Sequence, residues 1–397
     1  MTADAQVHGL RWTVPPPVKR VPFDKLVPLV RAGAAAAPDR PDLQLQLAKT
    51  LFQADCMAEV VERFRNCVAH RGADAELLFV LGRAAAATDD RALAVDALRA
   101  SADNGCDAAF GHLADALRRI ERFDDALAAA LRGLERAPSD FKSLGMVVRV
   151  MLDREERARL WAVCANLRSR GVWNAYLPSA MALAATSAAE HGEVAALVDS
   201  SRWFAEDQLH STDAFHEKLA AELLAHASLS PLPSTKSTSG AGRRVDQLQC
   251  GPGPHTHDLL ERIRAAVEAY AAQRQDNTAH PMIAHRPTQV ALNAWALAVH
   301  DDGHEDWHMH PGGWISGVYY VAVPQVELRG DGRAGAIEFG PFPFGGPRAV
   351  RSWPRAQCTP RAGSLLLFPS YYGHRTWPTR VTEPRIVVAF DVVPARS

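Results

Sequence analysis

The feature that most limits how this chain can fold is a helical pattern that recurs at a nearly constant interval in its N-terminal half. The pairs Leu47-Ala48, Leu81-Gly82 and Leu113-Ala114 are separated by 34 and 32 residues. The positions expected on a second helix follow the same steps, and they are occupied by Val60, Ala94, Ala126, Phe64, Leu98 and Ala130. Small residues at recurring positions let helices approach closely, so this period predicts stacked helix–turn–helix units.

These units resemble tetratricopeptide repeats, whose period is about 34 residues. The resemblance extends over roughly residues 41 to 140, and Leu or Ala stands at most of the aromatic positions of that pattern. Helical character continues to about Leu209, so we assign residues 41–210 to a repeat domain that follows an N-terminal segment, residues 1–40. Such a domain is either a scaffold or a surface that binds a polypeptide partner.

The second half of the chain has the character of a β protein. A segment rich in Ser, Pro and Gly between about Ser228 and Gly242 predicts a linker, which we place at residues 211–245. After one predicted helix, several short strands alternate with Gly/Pro turns, at residues 290–297, 314–323, 336–339, 364–368 and 385–392. So many short strands predict a sandwich or jelly roll over residues 246–397.

Three short pieces of this β region fit one metal site. His308 and His310 stand two residues apart, so on a strand their side chains point to the same face, and His374 arrives from a distant strand. Arg385 begins the next predicted strand, where a guanidinium can bind a carboxylate in bidentate fashion. Three ligands beside a carboxylate-binding arginine form the layout of a non-haem iron site that binds a 2-oxoacid.

The same region resembles a group of bacterial 2-oxoglutarate/Fe(II) oxygenases over about residues 246 to 393. The residues that match that pattern are Trp295, Gly303, His308, His310, Pro311, residues 316–321, Pro360, Gly363, Leu365, residues 368–370, His374 and Arg385. The resemblance implies a double-stranded β-helix (a jelly roll), Fe(II), and 2-oxoglutarate as co-substrate. It also implies that His308 and His374 are iron ligands and that Arg385 binds the distal carboxylate of 2-oxoglutarate.

One ligand position leaves a choice, because the wider superfamily has aspartate where this chain has His310. His310 either completes a three-histidine site, which is the assignment we favour, or lies outside it with water in its place. A literal His-x-Asp is present at His304 and Asp306, and we interpret these two as loop residues rather than ligands.

A second position departs from the superfamily pattern. Members often carry Ser or Thr two residues after the arginine, to bind the same carboxylate, but this chain has Val387 there. Another hydroxyl must therefore serve, and the candidates for binding the co-substrate are Ser316, Tyr319 and Tyr320.

Charge and cysteine content limit the macromolecular partners and the cellular compartment that we expect for this protein. The formal charge of 397 residues is −1, with 44 basic and 45 acidic residues, so nothing predicts nucleic acid or an anionic membrane as partner. The six cysteines are scattered without a Cys-x-x-Cys pair, which predicts free thiols in a reducing compartment. The N-terminus lacks an apolar signal-peptide region, and no apolar run reaches about 20 residues. We expect a soluble, cytoplasmic protein.

Together these patterns predict a multidomain protein, an α-helical repeat solenoid followed by a jelly roll. The resemblance implies a dioxygenase that uses Fe(II), 2-oxoglutarate and dioxygen, and the repeats suggest that it hydroxylates a peptide or protein. Peptidyl prolyl and aspartyl hydroxylases pair similar parts. Two alternatives stay open: a cupin-type metal enzyme that does not use 2-oxoglutarate, and a non-catalytic repeat adaptor with a degenerate jelly roll.

Overall fold

A computed structural model describes residues 9–13, 23–70, 72–209, 212–232, 237–276, 278, 280–325, 333–345, 353 and 355–395. The chain divides into two compact units between Asn174 and Ala175, and a short N-terminal strand belongs to the second unit. The helical unit therefore ends well before the predicted boundary at residue 210.

The first unit is helical in the part that is described, which confirms the predicted repeats. Its helices are α1 (Phe23–Ala36), α2 (Pro41–Gln53), α3 (Met57–Phe64), α4 (Ala75–Ala87), α5 (Arg91–Asp103), α6 (Ala109–Arg119), α7 (Phe123–Arg136), α8 (Phe141–Asp153) and α9 (Arg157–Ser169), with a 3-10 turn at Arg65–Ala69. From α2 to α9 they form four helix–turn–helix pairs. The fourth pair lies beyond the region in which the sequence repeat is clear.

The turn inside each pair has the same backbone conformation. One residue adopts a positive φ of about 60°, namely Asp55, Asp89, Glu121 and Glu155. The next backbone N–H then bonds to the carbonyl five residues back, in the pairs Cys56–Leu51, Asp90–Ala85, Arg122–Leu117 and Glu156–Met151. This is the Schellman ending of a helix, and it satisfies carbonyls that the last turn would leave without a donor. Because the geometry recurs, successive pairs stack in the same way.

Gly111 is a position at which the close approach of two helices requires glycine. A Cβ atom there would lie 2.8 Å from the backbone nitrogen of Ser143 and 2.9 Å from the backbone carbon of Lys142, neither of which can rotate away. We expect Gly111→Ala to lower the free energy of unfolding by about 1–3 kcal/mol. Thermal unfolding followed by circular dichroism measures this. Gly33→Ala in α1 is the control, since a Cβ there meets no atom within 4 Å. Equal melting of both variants would contradict the prediction.

The second unit contains further helices and the strands of the protein. The helices are α10 (Leu177–Ala184), α11 (Ala188–Leu197), α12 (Ser200–Trp203), α13 (Asp213–Leu224), α14 (Pro254–Ala272) and α15 (Pro281–Ala284). The strands are β1 (Arg11–Thr13), β2 (Ala205–Gln208), β3 (Ser230–Pro231), β4 (Thr238–Ser239), β5 (Gly242–Val245), β6 (Gln289–Val299), β7 (His304–Glu305), β8 (Ile315–Ala322), β9 (Ile337–Gly340), β10 (Ala356–Cys358), β11 (Ser364–Pro369), β12 (Gly373–Thr376) and β13 (Arg385–Pro394).

The strands form the two facing sheets of a jelly roll, as predicted. The larger sheet has the order β2-β11-β8-β13-β6-β5-β3, with β1 added in parallel to β6. The smaller sheet has the order β10-β9-β12, and an antiparallel bridge between His308 and His374 extends it. Side chains from β6, β8 and β13 on one side and from β9 and β12 on the other line a single cavity.

The predicted linker, residues 211–245, is largely structured where it is described. It contains α13, β3, β4 and β5, and β5 pairs with β6 so that Val245 is fully buried. The segment just before it, predicted to end the repeat domain, supplies β2, which pairs with β11. The linker assignment and the end of the repeat domain were wrong for the same reason. A short segment that pairs with a distant strand carries no periodic pattern of its own.

Two smaller expectations concern cysteines and membranes. All six cysteines are free thiols, as predicted. Among the helices that the structure describes, none combines the length and the apolarity needed to cross a bilayer.

Candidate metal centre

The structure brings the three predicted histidines together. His308 and His310 lie between β7 and β8, and His374 lies on β12. One ring nitrogen from each lies within 4.8 Å of the other two. The Nε2 atoms of His310 and His374 are 3.3 Å apart. The backbones of His308 and His374 exchange two hydrogen bonds of 2.9 Å, so the smaller sheet fixes the distance between these two residues.

Hydrogen bonds at Nδ1 fix the orientation of these histidine rings and leave the other ring nitrogen, Nε2, available as a ligand atom. His308 Nδ1 donates to the Asp306 carbonyl at 2.7 Å, and His374 Nδ1 donates to the Tyr372 carbonyl at 3.0 Å. A carbonyl can only accept, so Nδ1 of both rings carries the proton and Nε2 presents a lone pair. His310 Nδ1 lies 3.1 Å from a carboxylate oxygen of Asp391. This tautomer is the one that a metal ligand requires.

Burial also keeps two of the rings neutral. It lowers the pKa of His374 well below its usual value, and the adjacent rings of His308 and His310 lower it further. Burial likewise lowers the pKa of His308, although Glu305 opposes this. For His310, burial is outweighed by the Asp391 carboxylate, and the pKa is raised. A divalent cation would therefore compete with few protons at His308 and His374.

Glu305 is a cavity residue that sequence reasoning missed. Its Oε2 atom lies 3.2 Å from His308 Nε2 and accepts a hydrogen bond from Ser237 Oγ at 2.8 Å. Thr238 Oγ1 donates to the other carboxylate oxygen. Burial alone would raise the pKa of Glu305, but His308 and the two hydroxyls lower it. No sequence signal marks Glu305, because only the pairing of β4 with β7 brings its partners together.

The neighbouring His304 and Asp306, the rival pair, lie outside the residues that line the cavity. His304 Nε2 faces an Asp306 carboxylate oxygen at 3.4 Å, and the other oxygen of Asp306 accepts from Ser239 Oγ at 2.8 Å. Asp306 lies in a loop, as interpreted, whereas His304 lies on β7; neither lines the cavity.

Arg385 also lines the cavity and is 3% exposed. Its NH1 donates to the Gly335 carbonyl and its NH2 to Thr376 Oγ1, each at 3.0 Å. Its Nε has no hydrogen-bonding partner among the residues that the structure describes. Burial lowers the pKa of Arg385, which marks the cost of a guanidinium without a carboxylate partner.

Of the two tyrosines predicted as candidates, Tyr320 lines the cavity and Tyr319 does not. Side chains alternate along β8, so Ser316, Val318 and Tyr320 line the cavity, whereas the Tyr319 hydroxyl bonds to His216 Nε2 at 2.8 Å outside it. Within the described residues, the buried Tyr320 hydroxyl has no hydrogen-bonding partner. Ser316 lines the cavity as predicted, but its hydroxyl already donates to Asp391 at 2.6 Å.

The remaining wall of the cavity is apolar. It is formed mainly by Trp295, Leu297, Val299, Val318, Ile337 and Phe368. The tryptophan ring stands 5.6 Å from the ring of His310.

Residues 293–391 match the family model described as "Putative 2OG-Fe(II) oxygenase". This segment is a 2OG-Fe(II) oxygenase domain. The family uses Fe(II) and 2-oxoglutarate. The residues of the oxygenase domain fit both: three imidazoles converge on one point, and a buried, unpartnered arginine nitrogen faces the same cavity. No curated protein matches the chain.

Several solved structures are similar to parts of the chain. A Pseudomonas putida prolyl-4-hydroxylase is 13% identical over 51% of this chain and 99% of its own, with a TM-score of 0.37. The non-heme alpha ketoglutarate dependent epimerase SnoN is 18% identical over 53% of this chain and 84% of its own, with a TM-score of 0.35. The protein MamA is 19% identical over 34% of this chain and 79% of its own, with a TM-score of 0.31.

Proposed function

We propose that this protein is a dioxygenase that hydroxylates a peptide or protein substrate, using Fe(II) and 2-oxoglutarate in the oxygenase domain. The observation that carries the proposal is the presence, in one cavity, of three converging imidazole nitrogens and a buried guanidinium without a carboxylate partner. The first is a metal site, and the second is a site for the charged end of a dicarboxylic acid.

In this proposal His308, His310 and His374 hold Fe(II). Three neutral imidazoles on one side leave the opposite positions of an octahedral metal open for the 2-oxoacid and dioxygen. When bound, the iron and 2-oxoglutarate supply an oxidising reaction in which one oxygen atom enters the substrate and the other enters succinate, with release of carbon dioxide. The apolar walls limit the access of water to that reaction.

Arg385 and Tyr320 bind the distal carboxylate of 2-oxoglutarate. Arg385 Nε and the Tyr320 hydroxyl are both buried in the cavity wall, and both lack a hydrogen-bonding partner. A buried donor without an acceptor is costly, and a carboxylate between these two groups would satisfy both of them. The hydroxyl of Tyr320 then replaces the Ser or Thr that Val387 cannot provide.

The direct test is an anaerobic titration of the Fe(II)-loaded protein with 2-oxoglutarate. A 2-oxoacid that chelates Fe(II) gives a visible charge-transfer band, so the expected result is a band that saturates at one equivalent per chain. Succinate, which has a distal carboxylate but no 2-oxo group, is the matched control and should give no band. Bound iron without a band at saturating 2-oxoglutarate would overturn the proposal.

Glu305 supports a second candidate, a metal enzyme that does not use 2-oxoglutarate. Its carboxylate stands 3.2 Å from His308 Nε2, close to the distance between adjacent ligands of one metal ion. A fourth protein ligand would leave two open positions on an octahedral metal. A chelating 2-oxoacid would occupy both and leave none for dioxygen. Iron retention without the charge-transfer band is the outcome that favours this candidate.

The peptide substrate is supported by a basic face on the helical unit. We define this face as Arg83 of α4, His112 and Asp115 of α6, and Lys142 and Arg149 of α8, all of them half-buried. Lys142 Nζ lies 3.9 Å from an Asp115 carboxylate oxygen. Arg83 also stacks over the rings of Phe52 and Phe79.

The electrostatics of the basic face favour an acidic partner. Burial lowers the pKa of His112 to about 3, so this ring is neutral at pH 7. Within the basic face three cations then accompany one carboxylate, and Arg118 and Arg119 of α6 also pair with that carboxylate. Burial lowers the pKa of Lys142 too, and Arg149 lowers it further, so a carboxylate from a bound peptide would relieve this repulsion. We infer that the peptide bound here is acidic.

Charge reversal tests the basic face. We expect Arg149→Glu to weaken the binding of a labelled acidic peptide about tenfold at low ionic strength, as measured by fluorescence anisotropy. Arg99→Glu is the matched control, because Arg99 is an exposed residue of α5 outside the basic face. Equal affinity of both variants, or equal binding of acidic and basic peptides by the parent, would contradict the assignment.

A further inference from the structure

The three histidines of the metal centre differ in what holds their Nδ1 atoms. His308 and His374 each donate to the backbone carbonyl of the residue two positions earlier. His310 departs from this pattern, and the carbonyl of His308 accepts the backbone N–H of His374. It uses instead the side chain of Asp391, at 3.1 Å. The histidine at the position where the wider superfamily has aspartate is thus the one whose Nδ1 atom contacts a carboxylate.

The Asp391 carboxylate is held in a fixed orientation. The residue is 8% exposed on β13, and its backbone pairs with Ser316 on β8. Its Oδ1 accepts from Ser316 Oγ at 2.6 Å, and Ser316 Oγ lies 2.8 Å from Ser370 Oγ. The Ser370 carbonyl in turn accepts the backbone N–H of His310 at 3.1 Å. His310 and Asp391 are therefore fixed relative to each other by two separate connections.

In the described part of the chain, the Asp391 carboxylate has one hydrogen-bonding partner that can carry a positive charge, the imidazole of His310. Its hydrogen-bonding partners there are the neutral hydroxyl of Ser316 and the imidazole of His310. The guanidinium of Arg244 lies over the ring of Trp295 and pairs with Asp246 at 2.7 Å. The Asp391 carboxylate therefore acts on the ring of His310 through the contact at Nδ1.

We propose that Asp391 is a positioning residue that supplies, through His310, the negative charge that a direct aspartate ligand supplies elsewhere in the superfamily. The proposal rests on the proposed function, in which His310 is an iron ligand. A carboxylate that accepts the Nδ1 proton fixes the ring and makes Nε2 a stronger donor. It also favours Fe(III) over Fe(II), since the more highly charged ion gains more from a nearby anion. Asp391 thereby offsets the greater positive charge of a three-histidine centre.

Asp391→Asn is the decisive variant, because asparagine has the same shape and can still accept a hydrogen bond but carries no charge. We expect Fe(II) affinity, measured anaerobically by competition with a chelating dye, to fall 10- to 100-fold. The Fe(III)/Fe(II) midpoint potential should shift to a more positive value. Asp207→Asn is the matched control, since it makes the same change at an exposed residue of β2 that does not line the cavity; its iron affinity and potential should equal those of the parent.

A second comparison does not depend on how well the single variant folds. In a His310→Asp background the metal has a carboxylate ligand of its own, and Asp391 faces that carboxylate rather than an imidazole. Asp391→Asn should then leave Fe(II) affinity unchanged or increase it. A loss of the same size in both backgrounds would show that Asp391 stabilises the fold only.

The outcomes separate this inference from the proposed function. If Asp391→Asn has the parent's affinity and potential while His374→Ala loses iron, the role of Asp391 is overturned and the three-histidine site stands. If His374→Ala retains iron as tightly as the parent, the histidine site itself is wrong.

Discussion

Replacing His374 with alanine is expected to weaken Fe(II) binding at least a hundredfold. Its Nε2 lies 3.3 Å from that of His310, and its ring is 5% exposed, so no water-accessible side chain can take its place. Loss of one of three ligands from a metal site costs about 3 kcal/mol or more, and each 1.4 kcal/mol is tenfold in affinity. Anaerobic competition with a chelating dye measures the loss.

His257→Ala is the matched control for this experiment. His257 is exposed on α14, in the same unit, and does not line the cavity. It should bind iron as the parent does, and circular dichroism should show both variants folded. A His374→Ala protein that retains iron at parental affinity would contradict the three-histidine centre, whatever its activity.

Replacing Arg385 with alanine is expected to weaken 2-oxoglutarate binding about a hundredfold or more and to leave iron affinity within about threefold of the parent. The guanidinium is buried in the cavity wall, and its Nε has no partner in the described part of the chain. A carboxylate that reached this end of the cavity would gain a charge-assisted hydrogen bond in a setting with little water. The charge-transfer titration measures the change.

Two companion variants sharpen the second experiment. Arg243→Ala removes an exposed arginine of the same unit and should leave the titration unchanged. Tyr320→Phe removes only the unpartnered hydroxyl, and the expected loss is about tenfold. If Arg385→Ala loses iron and 2-oxoglutarate together, the arginine supports the fold of the centre rather than the co-substrate. If it loses neither, the carboxylate binds elsewhere.

The sequence predicts the ligand cluster well because that cluster depends on local rules. Two histidines at i and i+2 and a third before the last strand were predicted to meet, and the structure places all three around one point. His308 and His310 do so from the segment between β7 and β8 rather than from within a strand. Arg385 was found by the same reasoning. The repeats could be predicted equally well, since the spacings of 34 and 32 residues persist even where the usual aromatic residues are replaced.

The parts that sequence reasoning missed all depend on which strands become neighbours. Tyr319 and Tyr320 are adjacent aromatic residues, and only the orientation of β8 in the sheet decides which one enters the cavity. Glu305 becomes part of the site through the pairing of β7 with β4. Asp391 offered a partial signal, because it is six residues from Arg385 on one strand, and an even spacing places both on the same face. Its contact with His310 required the structure.

The histidine cluster is anchored in two places with different mechanical roles. The backbones of His308 and His374 are paired at the edge of the smaller sheet, whereas His310 is tied to the larger sheet through Ser370 and Asp391. An ion held by all three rings would therefore act as a cross-link between the two halves of the sandwich. Separation of the sheets, the motion that admits a protease or starts unfolding, would then require release of the metal. Loading with iron should thus slow proteolysis of the jelly roll and leave the helical unit as easily cleaved as before.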